Sequence, residues 1–123
     1  MKTTDLKIQF NKSGSGSLTP RLTLPATWIE ELNITQEDRE VIVTLLDDSI
    51  VIRKSIQDAG TLENAIDERV KNISFNKSGN KSKSITTRII LPMTYVKHLE
   101  LEPENRDVLV IFENNMITIE KQK

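Results

Sequence analysis

The segment from Arg21 to Lys54, RLTLPATWIEELNITQEDREVIVTLLDDSIVIRK, decides the fold because the chain contains it twice. Its second copy runs from Arg88 to Lys121 as RIILPMTYVKHLELEPENRDVLVIFENNMITIEK. Arg21, Leu24, Pro25, Thr27, Leu32, Glu37, Arg39, Val41, Val43, Ile50, Ile52 and Lys54 each meet an identical residue, and Trp28 meets Tyr95. Most remaining apolar positions exchange only for apolar ones. Self-similarity sustained over a whole unit is the signature of a structural repeat. It extends upstream, where FNKSG stands at Phe10 to Gly14 and again at Phe75 to Gly79, with two extra residues in the loop after the second copy.

Each copy predicts the same order of elements. LKIQF at Leu6 to Phe10 and KNISF at Lys71 to Phe75 are short alternating strands. They stop at Asn-Lys-Ser-Gly, where Asn and Gly supply the conformations a turn requires. RLTL and RIIL form a second strand. Pro25 and Pro92 stand where a helix begins, since a first-turn proline gives up no needed N–H. Trp28 with Leu32, and Tyr95 with Leu99, lie four apart on one face of that helix, which favours core packing over stacking on a ligand. A hairpin of period two follows: Val41, Val43 and Leu45 face one way, Asp47-Asp48 turns, and Ile50 and Ile52 return on the same face. Val108, Val110, Phe112, Ile117 and Ile119 repeat this around Asn114-Asn115.

The predicted fold is therefore mainly β with short helices, built from two β-β-α-β-β repeats at 1–54 and 70–123. The span 55–69 predicts a helical connector, with Thr61 as N-cap and Leu62, Ala65, Ile66 and Val70 at helical spacing. At 123 residues, each half is a unit of about 50 residues that buries too little surface to stand alone. The two repeats are expected to complete each other in one body.

Composition narrows the class. A hydrophobic fraction of 37% and a charged fraction of 28% suit a soluble globular protein. No apolar run approaches the roughly 18 residues of a membrane span, and MKTTDLKIQF lacks the apolar centre of a signal peptide. Without cysteine there are no disulfides or thiolate metal sites, so a cytoplasmic protein is expected. His98 has no second histidine with which to build a metal site, and the acids Glu102, Glu104 and Asp107 fall in a turn beside Arg106. SGNKSKS lacks the glycine spacing of a phosphate-binding loop, and the sequon-like NKS, NIT and NIS carry no meaning without secretion. No cofactor, metal or enzymatic activity is expected.

The net charge of −1 hides a segregation along the chain. Leu6 to Ile29 holds Lys7, Lys12 and Arg21 and no acid, and Val70 to Arg88 holds Lys71, Lys77, Lys81, Lys83 and Arg88 and no acid. Between them, Glu30 to Ile52 holds seven acids against the single base Arg39. Both basic segments coincide with the repeated pentapeptide.

The combination of Arg-x-x-Leu-Pro, short helix, polar turn and hairpin resembles the AbrB/MazE/SpoVT swapped-hairpin DNA-binding domain, and both repeats resemble it. Two departures stand out. Arg39-Glu40 and Arg106-Asp107 occupy the place where Gly-Asp is common, and two copies share one chain where members typically interleave two chains. The resemblance implies a swapped-hairpin β-barrel formed as an intrachain pseudo-dimer. It implies a double-stranded-DNA-binding transcriptional regulator that recognises a pseudo-palindromic operator through basic loops on one face. Lys12, Ser13, Arg21, Lys77, Ser78, Lys81, Lys83 and Arg88 are the residues it places there, with the arginines suited to guanine and the loops to phosphates. The alternative is an antitoxin-type interaction module that binds a toxin and its own promoter. The chain ends at MITIEKQK, soon after the last predicted strand, which leaves no tail for wrapping a toxin and favours the regulator. Further self-association of pseudo-dimers is the other partner expected.

Overall fold

Period-two alternation becomes strand almost wherever the sequence carries it. The computed structural model describes residues 1–12, 14, 16–55, 60, 62–77 and 85–122. Its elements are Lys2–Lys7 (β1), Gln9–Lys12 (β2), Leu18–Leu24 (β3), Ala26–Glu31 (α1), Glu40–Leu45 (β4) and Ser49–Lys54 (β5). They continue with Asp67–Asn72 (β6), Ser74–Lys77 (β7), Ile85–Ile90 (β8), Met93–His98 (α2), Asp107–Glu113 (β9) and Met116–Lys121 (β10). The fold is mainly β with two short helices, as the sequence predicts. Among the described residues no helix is long and apolar enough to cross a membrane.

The strands form two antiparallel sheets, one of six in the order β1-β9-β10-β5-β4-β6 and one of four in the order β2-β3-β8-β7. Each repeat gives its opening strand to the other: β1 pairs with β9, and β6 pairs with β4. Equivalent strands meet in the middle of both sheets, with Leu22 opposite Ile89 and Val51 opposite Thr118. These are corresponding positions of the two repeats, so the registers are unchanged when the repeats are exchanged.

A closed barrel is not what forms. Ile8 separates β1 from β2 and Ile73 separates β6 from β7, and at each the chain leaves one sheet for the other. The Ile8 N–H donates to the Arg106 carbonyl at 3.0 Å, and Arg106 Nη1 donates back to the Ile8 carbonyl at 3.2 Å. Ile73 and Arg39 repeat the exchange at 2.9 and 3.4 Å. Buried backbone groups need partners. Here an arginine supplies both, the strand ladders stop, and two open sheets result. Arg39 and Arg106 thus have a structural function at the two bends.

Pro25 and Pro92 are the N-caps, one place ahead of the first helical residue. Both helices end in a left-handed residue, Asn33 at φ 60° and Glu100 at φ 61°. The Asn33 N–H donates to Glu30 O and the Ile34 N–H to Ile29 O, at 2.9 and 3.1 Å, which is the Schellman pattern. Glu100 and Leu101 repeat it on Lys97 and Val96. Lys54 Nζ donates to Asn33 O and Lys121 Nζ to Glu100 O, so the identical lysines tie each hairpin to its helix end. Asn114 and Asn115, at φ 54° and 60°, form the tight turn between β9 and β10.

The inward faces of both sheets and one face of each helix make a single apolar core that includes Leu22, Trp28, Val43, Ile52, Ile89, Tyr95, Val110 and Ile119. Trp28 packs edge-on against Phe112 of the other repeat, with ring centres 5.6 Å apart. The connector differs from its prediction. Among its described residues there is no helix: Glu63 and Asn64 form a turn, Asn64 has φ 67°, and β6 already begins at Asp67. The expected cap Thr61 lies outside the described residues. Backbone pairing overrides the helical spacing, since Ile66 N–H donates to Leu45 O at 2.7 Å and starts the ladder with β4. Arg53 Nη2 reaches the Gly60 carbonyl at 2.9 Å, which ties Gly60 to the first hairpin.

Candidate nucleic-acid interface

Strand alternation sorts the residues of the four-stranded sheet. Leu22, Leu24, Thr87 and Ile89 point inward and are buried. Their neighbours Arg21, Thr23, Arg88 and Ile90 take the opposite face, because successive residues alternate across the pleat. The registers then arrange that face in rows. Gln9, Arg21 and Ile90 form one inner row, and Ser74, Arg88 and Thr23 form the other. Asn11 with Thr19, and Asn76 with Thr86, form the outer rows. Among these described residues there is no acid.

Arg21 and Arg88 are diagonal neighbours across the β3–β8 pair, a relation that sets such positions about 7–8 Å apart. Among the six arginines of the chain these two stand apart. Arg39 and Arg106 hold the strand bends, Arg53 binds Glu68 at 3.3 Å, and Arg69 binds Asp67 at 3.2 Å. Neither Arg21 nor Arg88 has a hydrogen bond or ion pair among the described residues, and the Nε of each is buried without a partner. A buried donor without an acceptor is costly. Both guanidinium groups are thereby left without an acceptor among the described residues.

The remaining expected site residues are placed differently. Lys12 ends β2 opposite Leu18, an exposed position across the pleat from Asn11. Lys77 ends β7 opposite Ile85. The β2–β3 turn, in which Gly16 takes φ 88°, emerges at one end of the sheet, and β8 begins at the other. Lys12 and Lys77 therefore stand at opposite ends of the sheet, on either side of the arginine rows. Ser13, Ser78, Lys81 and Lys83 lie outside the described residues. Reading the sequence alone missed Gln9, Asn11, Thr19, Thr23, Ser74, Asn76, Thr86 and Ile90. The signal was available in the alternation of strands already recognised, once β3 is paired with β8.

Other polar groups are structural or lie elsewhere. The Tyr95 hydroxyl donates to Asp67 Oδ2 at 2.8 Å, and Arg69 stacks over the Tyr95 ring. Burial, followed by the hydrogen bond to Asp67, pushes the Tyr95 hydroxyl well above its ordinary pKa. The same hydrogen bond holds the Asp67 carboxyl below the usual range. His98 is exposed, with Nε2 3.1 Å from the Asp47 carbonyl. The surface clefts of 350 to 430 Å³ are lined by residues outside the arginine rows. Comparison with protein-family models, with curated proteins and with solved structures finds no match to this chain.

Proposed function

We propose that this chain is a double-stranded-DNA-binding transcriptional regulator of the swapped-hairpin type, its two repeats acting as an intrachain pseudo-dimer on a pseudo-palindromic operator. The observation that carries this reading is the pair of unpartnered arginines on an acid-free sheet face. A guanidinium fork matches guanine O6 and N7 in the major groove. Asn, Gln, Ser and Thr in the flanking rows provide the amide and hydroxyl groups that contact base edges and phosphates. Lys12 at the end of β2 and Lys77 at the end of β7 belong to basic segments whose lysines would supply phosphate contacts. Arginine then contributes to sequence choice, and lysine to sequence-independent affinity.

The test compares binding to a promoter fragment and to a scrambled duplex across a salt series. Arg21→Ala/Arg88→Ala should lower the preference for the specific site by about 1–3 kcal/mol for each guanine left unread. Lys77→Ala/Lys81→Ala/Lys83→Ala should weaken both duplexes alike and flatten the salt slope by about 0.9 for each phosphate no longer neutralised. Unchanged duplex binding in both variants, with folding intact, would remove this face from the mechanism.

A further inference from the structure

The two halves of the face are not chemically equivalent. The outer rows match, Asn11 with Thr19 and Asn76 with Thr86. The inner rows share only their arginine: Arg21 stands between Gln9 and Ile90, whereas Arg88 stands between Ser74 and Thr23. Gln9 corresponds to Ser74 and Thr23 to Ile90 in the repeat. Divergence within this face is therefore confined to the residues that flank the two arginines. Each inner row also draws on both repeats, since Ile90 of the second lies beside Arg21 of the first.

We infer that the two halves read different base pairs, so that the preferred duplex is non-palindromic, with a guanine in each half and a thymine beside only the guanine that Arg21 reads. This rests on the duplex-binding proposal above. Ile90 is 41% exposed in the middle of an otherwise polar face. It has nothing to donate or accept, and the apolar group that the major groove presents to it is the thymine 5-methyl. Thr23, at the equivalent position beside Arg88, has a hydroxyl that donates and accepts and so tolerates several base edges. Gln9 adds a terminal amide suited to adenine N6 and N7, and Ser74 has a shorter, less selective hydroxyl. Ile90 and Gln9 are thus specificity residues for one half-site only.

The experiment selects binding sequences from a randomised duplex pool with the full chain. The wild type should enrich a lopsided site. Ile90→Thr/Ser74→Gln, which gives both inner rows the same flanking residues, should enrich a symmetric one, with thermal unfolding confirming that the variant is folded. Replacing the thymine beside the guanine that Arg21 reads by uracil removes one methyl and should weaken wild-type binding about fourfold. The double variant should lose less than twofold. A palindromic site selected by the wild type, or a lopsidedness that survives in the double variant, overturns this inference while leaving duplex binding intact. Failure to enrich any duplex overturns the underlying proposal and this inference with it.

Discussion

Arg39 and Arg106 each satisfy both backbone groups of an isoleucine that lies far away in sequence, 34 positions for one pair and 98 for the other. Removing either side chain leaves a carbonyl at a strand bend without its donor. Arg39→Ala and Arg106→Ala should each lower stability by about 1–3 kcal/mol, measured by urea unfolding. Arg21→Ala, on the outer face, should stay within about 0.5 kcal/mol of the wild type. An Arg39 variant as stable as the Arg21 variant would show that the backbone bond alone secures the bend. At this scale the sequence was partly legible. Arg39-Glu40 and Arg106-Asp107 are visible as an Arg-acid pair repeated in both copies, but their function depends on which isoleucine lies beside them, and local pattern carries no such distance. Trp28 and Tyr95 were legible because a core position on a helix follows from spacing alone.

The two hairpins have nearly the same inward face and different outward faces. Val41, Val43, Ile50 and Ile52 are buried, as are Val108, Val110, Ile117 and Ile119. On the outward side Ile42, Thr44 and Val51 are also buried, whereas Leu109 and Ile111 of the second hairpin are half exposed. On that side of the first hairpin Arg53 is bound to Gly60 of the connector and to Glu68 of β6, and Thr44 Oγ1 donates to Glu68 at 3.1 Å. Ile42 and Leu109 are equivalent positions. Ile42→Ala should therefore cost about 2–4 kcal/mol and Leu109→Ala about 1–2 kcal/mol in thermal or urea unfolding. Equal costs would mean that the connector adds no packing there. Period two made the hairpins legible in the sequence. The connector was misread because Leu62, Ala65, Ile66 and Val70 have helical spacing, while the unpaired edge of β4 offered those backbone groups a ladder that no local pattern announces.

Taken as a molecule, the chain stands or falls as a unit, because among the described residues β1 has its only ladder on β9 and β6 on β4. A fragment of residues 1–58 loses the partner of β1 and the neighbours of β3 and β5. It should be unfolded or a homodimer, and analytical ultracentrifugation with circular dichroism distinguishes these from a folded monomer, which would contradict the exchange of strands. Two complementary repeats were legible from length and similarity, as were basic segments. The arginine rows were not, because they exist only after strands from different repeats pair. Pairing two repeats within one chain also changes how the surface is inherited. In a homodimer every substitution appears twice, so a residue that improves one half-site is imposed on the other. Here Thr23 and Ile90 are encoded separately, and either half of the face can be altered by a single mutation while its counterpart stays as it was. The two repeats keep matching strand registers while their sequences are free to differ.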